Sequence, residues 1–71
     1  MITEKMEVWS IEEGDSVRMN GEVYFVQVIE MASPTTSCLW LVDEEGFQHS
    51  VVLEDSQKIS VVILDNAEAV V

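Results

Sequence analysis

Apolar and polar positions along this chain come in short alternating bursts separated by turn residues, which predicts strands rather than helices. Gly14-Asp15 marks the first turn, and Ser16-Val17-Arg18-Met19 alternates after it. Asn20-Gly21 follows as a hairpin signal, because a type I′ turn needs positive φ at both central positions. Glu22 to Met31 reads as a long strand, with Val23, Tyr24, Phe25, Val26, Val28 and Ile29 nearly all β-branched or aromatic. Ala32 to Ser37, carrying Pro34 and four hydroxyl residues, reads as a loop. Cys38 to Val42 is a short apolar strand, and Asp43-Glu44-Glu45-Gly46 closes a hairpin with Gly46 in the left-handed region. Phe47 to Leu53 returns, Glu54 to Gln57 makes a tight 3₁₀-type connection, and Lys58 to Leu64 is the last strand. Glu4 to Ile11 reads as an extended stretch anchored by Val8, Trp9 and Ile11.

Five strands in so short a chain leave few topologies. A meander that curls into a small closed barrel removes the sheet edges, whereas a flat sheet without a helix would leave one apolar face wet. The expectation is an all-β single domain over 1–71, with a barrel over 11–64, an N-terminal extension over 1–10 and a short C-terminal tail over 65–71.

Three stretches carry a resemblance: Glu13-Gly14-Asp15-Ser16-Val17, Gly21-Glu22-Val23-Tyr24-Phe25-Val26, and Leu41-Val42-Asp43-Glu44-Glu45-Gly46 at the distal hairpin. Together with the tight connection at 54–57, this pattern resembles the SH3-like small barrels. The overall style is also similar to small proteins encoded by bacteriophages. The resemblance implies a five-stranded antiparallel barrel and a binding role, since such barrels take peptides, modified histone tails, RNA or ribosomal partners. It departs from the peptide-binding SH3 domains, because Asn20-Gly21 makes a tight turn where they carry a long aromatic-rich loop.

Composition narrows the class of partner. Hydrophobic residues make up 48% of the chain, a density that disordered acidic segments lack. Asp and Glu number 14 against 3 Lys and Arg, for a formal net charge of −11. Such a surface repels phosphate backbones and anionic lipid, so the expectation is no direct nucleic-acid or membrane contact and a basic protein partner. The lone Cys38 allows no internal disulfide, and no basic leader precedes an apolar stretch; both predict a cytoplasmic location.

The residues able to carry chemistry are few. His49 has no second imidazole nearby in sequence, and Cys38 precedes Leu39-Trp40-Leu41, as a buried small hydrophobe would. A Cys38–His49 dyad needs two adjacent strands to bring the pair together. Asp43-Glu44-Glu45 lacks the alternate spacing of calcium loops and fits a solvated hairpin tip. No enzyme activity, cofactor or metal is expected.

Two features remain. In a meander, Glu12, Glu13 and Asp15 should neighbour Glu54 and Asp55, with Glu30 pointing the same way and Asp43–Glu45 at the other end. This is either ordinary solubilising charge or an acidic docking face, with Trp9 or Trp40 as its apolar anchor. Second, Val61-Val62-Ile63-Leu64 is apolar throughout, and Tyr24 is a further large group. These residues either cap the barrel or form a homodimer or higher homo-oligomer interface. The function expected is an interaction module, in the style of a phage accessory or inhibitor protein docking a basic host protein. The alternative is a self-assembling structural barrel whose charge serves solubility.

Overall fold

The computed structural model describes residues 1–64 as one antiparallel sheet of six strands. These are β1 (Ile2–Glu7), β2 (Ser16–Met19), β3 (Glu22–Ser33), β4 (Thr36–Asp43), β5 (Gln48–Glu54) and β6 (Lys58–Leu64). Their order across the sheet is β1-β6-β2-β3-β4-β5. The tail expected over 65–71 lies outside the described residues.

The expectation of a five-stranded closed barrel is therefore corrected on two counts. The N-terminal stretch is not a loose extension: β1 pairs with β6 along its length, from Ile2 opposite Leu64 to Glu7 opposite Lys58. Closure would then require β1 to meet β5, and these two strands are instead the two edges of the sheet. The sheet still curls, because only the Glu54–Gln57 turn separates β5 at one edge from β6 near the other. That turn is a single reverse turn closed by Gln57 N–H to the Glu54 carbonyl at 3.0 Å. The 3₁₀ turn occurs at Val8–Ser10 instead.

Local chemistry explains most of the connections. Asn20 and Gly21 both have positive φ, 54° and 80°, as the β2–β3 hairpin demands. Gly46 has φ 92° and closes the β4–β5 turn through its N–H to the Asp43 carbonyl at 3.0 Å. The expected loop at Ala32–Ser37 shrinks to Pro34-Thr35, because both strands run further than their apolar residues suggest. Hydroxyl groups hold this tip together: Ser33 Oγ meets Thr36 Oγ1 at 2.6 Å, and the Thr35 N–H donates to Ser33 Oγ.

The core sits on the concave face. Val8, Ile11, Val17, Val26, Leu39, Leu41, Ile59 and Val61 are buried together, with Tyr24, Ile29, Val51 and Leu53 packed around them. Strand alternation places these on one side, but β3 needs an adjustment. A register shift between Val26 and Val28 inserts Gln27 as a bulge. After it, Val28 points outward and Ile29 turns back to the core, so a near-continuous apolar run serves both faces.

Candidate functional site

The outward face of β3, β4 and β5 can be read row by row from the register. Phe25 lies beside Val42 and Gln48, Val28 beside Trp40 and Ser50, and Glu30 beside Cys38 and Val52. Residues paired across neighbouring strands share a face, so the rows build one surface. Its apolar members stay accessible: Phe25 is 48% exposed, Val28 41% and Val52 58%. Trp40 lies at the centre of this surface, with its indole Nε1–H donating to Glu30 Oε1 at 2.9 Å. The bond fixes the ring on the face and leaves the indole donor satisfied.

Carboxylates border this surface, and most have a structural bond. Glu13 Oε2 accepts the Ile29 N–H at 3.0 Å, which brings Glu13 beside Glu30. Asp15 Oδ2 accepts the Glu12 N–H at 2.9 Å, and the Asp15 carbonyl accepts the Val26 N–H at 2.8 Å. This ties the 12–15 loop along β3, where β2 has already ended. Glu13 and Asp15 thus sit on the side of β3 away from β4, while Glu30 reaches across to Trp40 on β4. Asp55 belongs to a neighbouring knot: its Oδ1 accepts from Ser37 Oγ at 2.6 Å, and its carbonyl accepts the Trp9 N–H at 3.2 Å. Its own N–H donates to the Thr35 carbonyl at 2.9 Å, so the β5–β6 turn is strapped to both the N-terminal 3₁₀ turn and the β3–β4 tip. Glu54 pairs with Thr36 next to it. Trp9 is 66% exposed on the 3₁₀ turn.

The residues nominated for self-association are placed differently. Val61 is buried in the core and Tyr24 is half-buried against it. Val62 is half-buried and Ile63 exposed. Strand β6 has β1 on one side along its length and is paired by β2 on the other side at Ser60 and Val61.

Sequence reasoning missed the role of Asp43. It does not stand free at a solvated tip: Oδ1 accepts the N–H groups of Glu45 and Phe47, both at 2.9 Å, and Oδ2 meets His49 Nε2 at 2.8 Å. Tyr24 stacks edge-on to the same imidazole with centroids 5.4 Å apart. The signal was present in the sequence as an Asp opening a turn before glycine. Cys38 and His49 face opposite sides of the sheet, since Cys38 pairs with Val52 and Leu41 with His49. Among the described residues, no group of three or more His, Cys, Asp or Glu is placed to hold a metal ion. No protein-family model matches this chain, and no curated protein matches it.

The Asp43 arrangement makes a pH prediction. The His49 hydrogen bond, helped by the two backbone donors, holds the Asp43 carboxyl below its ordinary value of 3.8. A depressed carboxylate stabilises the fold above its unfolded pKa, and that contribution disappears as pH falls through the folded value. The Asp43 carboxyl should therefore show a midpoint below its ordinary value in a carboxyl ¹³C NMR titration. His49→Ala should raise its midpoint; an unchanged midpoint would show that the imidazole does not hold it.

Proposed function

We propose that this protein is a non-enzymatic interaction module that docks a basic protein through the outward face of β3–β4–β5 and its acidic border. The observation that carries this reading is Trp40, held by Glu30 at the centre of an exposed apolar surface, with Glu13 bonded to β3 at Ile29 beside it. Apolar centre and charged rim is the anatomy of a protein interface, and aromatic residues fixed near the middle are its usual anchors. The sign of the rim selects the partner: a net charge of −11 repels acidic surfaces and steers basic ones. The meander of β2 to β5, with β6 returning beside β2, supports the SH3-like reading of the architecture in an open, strand-extended form. Such folds host many functions, so the surface rather than the fold carries the argument. An accessory or inhibitor protein acting in a bacterial cytoplasm fits this chemistry.

The test is capture from a bacterial extract at about 0.1 M and about 1 M salt, where the screening length falls from roughly 10 to 3 Å. The comparison is with a Glu12→Gln, Glu13→Gln, Glu30→Gln variant. Glutamine keeps a carbonyl oxygen to accept the Ile29 and Trp40 N–H groups, so charge is removed while the local bonds remain. The expected result is one basic protein retained at low salt, released at high salt and lost with the variant. Capture that ignores both salt and the three charges would overturn the reading, as would no specific capture.

A further inference from the structure

Strand β5 is an edge of the sheet, and among the described residues its outer side meets no other strand. Two bonds at the ends of the β4–β5 ladder fix which of its backbone groups point that way. The Asp43 N–H donates to the Phe47 carbonyl, and the Asp55 N–H to the Thr35 carbonyl, each at 2.9 Å. Both pairs continue the register that runs from Thr36–Glu54 to Val42–Gln48. Hydrogen-bonded and non-bonded pairs alternate along an antiparallel ladder. His49, Val51 and Leu53 therefore bond to β4, while Gln48, Ser50 and Val52 direct their N–H and C=O groups away from it. The Glu54 N–H points outward too, though its carbonyl is taken by Gln57.

Edges of this kind are usually blunted by lysine, proline or a bulge. The other edge, β1, carries Lys5 and a register shift between Ile2 and Thr3. Strand β5 has neither lysine nor proline, and its register with β4 is unbroken. Gln48, Ser50, Val52 and Glu54 are exposed, and Val51 and Leu53 on the opposite face are only half-buried. The edge is thus open to one more strand.

Charge selects its occupant. From Met19 to Gln57 the chain holds seven Asp and Glu and no Lys or Arg. Glu44 and Glu45 stand beyond one end of β5, and Glu54 and Asp55 at the other. A second copy paired through β5 would set two such cation-free halves against each other. Residues 65–71 include Asp65 and Glu68 and no cation, so they share the same sign. A basic segment is complementary along the whole edge.

We infer that an extended basic segment of the partner adds to β5 as a seventh strand, bonded to the backbone of Gln48, Ser50 and Val52. This rests on the reading of the Trp40 face as the surface of a basic partner, and says how that partner is held. Ser50 lies beside Trp40 in the register, so alternate side chains of the added strand extend the Trp40 face. Basic residues there lie near the indole ring and Glu54, and apolar residues between them cover Val51 and Leu53.

The probe is the capped peptide Lys-Val-Lys-Val-Lys-Val-Lys, added to the full chain and followed by NMR amide hydrogen exchange. In the free protein the Ser50 and Val52 amides should exchange faster than those of Val51 and Leu53. Saturating peptide should slow Ser50 and Val52 at least about ten-fold. N-methylation of the two central lysine amides keeps the charge but removes donors that face β5, and should weaken binding at least about ten-fold. Ser50→Pro replaces an outward N–H without breaking a bond to β4, and should weaken the parent peptide similarly. A neutral Ser-Val-Ser-Val-Ser-Val-Ser peptide should also bind at least about ten-fold more weakly. Binding without slower exchange at Ser50 and Val52 would overturn strand addition, as would equal binding of the N-methylated peptide or no binding at about 1 mM. Equal binding of the neutral peptide would overturn the basic assignment, and slowing with protein concentration alone would give the edge to a second copy. The two readings separate in Trp40→Ala. Peptide binding lost there, with no slowing at Ser50 and Val52 in the parent, keeps the face and removes the added strand. Slowing that survives the substitution keeps the strand and removes the anchor.

Discussion

Leu41→Ala is expected to lower the unfolding free energy by about 3 kcal/mol. Leu41 and Leu39 are the largest fully buried side chains, each reaching the concave face from β4 between β3 and β5. Truncation removes transfer energy and leaves a cavity whose walls cannot collapse, because β4 is held by ladders on both sides. A domain of this size has in total only about 4–10 kcal/mol to lose. Urea denaturation should show the midpoint falling sharply with an unchanged slope. Val42→Ala, the adjacent residue on the opposite face, should cost about 1 kcal/mol or less. Equal losses at 41 and 42 would mean that the two faces of β4 are not distinguished as described.

That contrast also marks where the sequence was readable. The β2–β3 hairpin was legible because Asn20-Gly21 has little other local use, and β6 because an unbroken Val-Val-Ile-Leu run belongs in the middle of a sheet. Strand β1 was not legible as a strand. Its residues, Ile-Thr-Glu-Lys-Met-Glu, are mostly exposed, and an edge strand held by pairing to β6 carries little apolar signal of its own. With β1 misread, closure into a barrel followed naturally and incorrectly. The bulge at Gln27 was hidden for a related reason: a run of β-branched residues looks the same whichever face each one serves. Nothing local revealed the hydrogen bonds of Glu13, Glu30 and Asp15 to Ile29, Trp40 and Glu12.

Trp40→Ala is the second large effect expected, this time on association. Removing an anchoring aromatic at the centre of an interface costs about 2 kcal/mol or more, which is about thirty-fold in affinity. The loss should appear in the dissociation rate of the captured partner, measured by surface plasmon resonance. Glu30→Gln should behave differently. It keeps an acceptor for the indole N–H but removes rim charge, so it should slow association and flatten the salt dependence while leaving dissociation nearly unchanged. A Trp40→Ala protein that binds as the parent does would remove the anchor from the proposed interface and leave only its charge.

The pairing of Ile2 with Leu64 has a practical consequence for anyone handling the molecule. Cross-strand neighbours sit about 5 Å apart, so chain entering at Ile2 and chain leaving at Leu64 share one corner. That corner belongs to the β1 edge, at the other end of the strand order from β5. The backbone thus enters and leaves the described sheet at one place. For the same reason Leu64 can be joined to Ile2 by a short linker, and new ends opened at the exposed Glu44-Glu45 tip. Such a circular permutant would keep every strand pairing while moving its point of attachment to the far end of the β4–β5 hairpin.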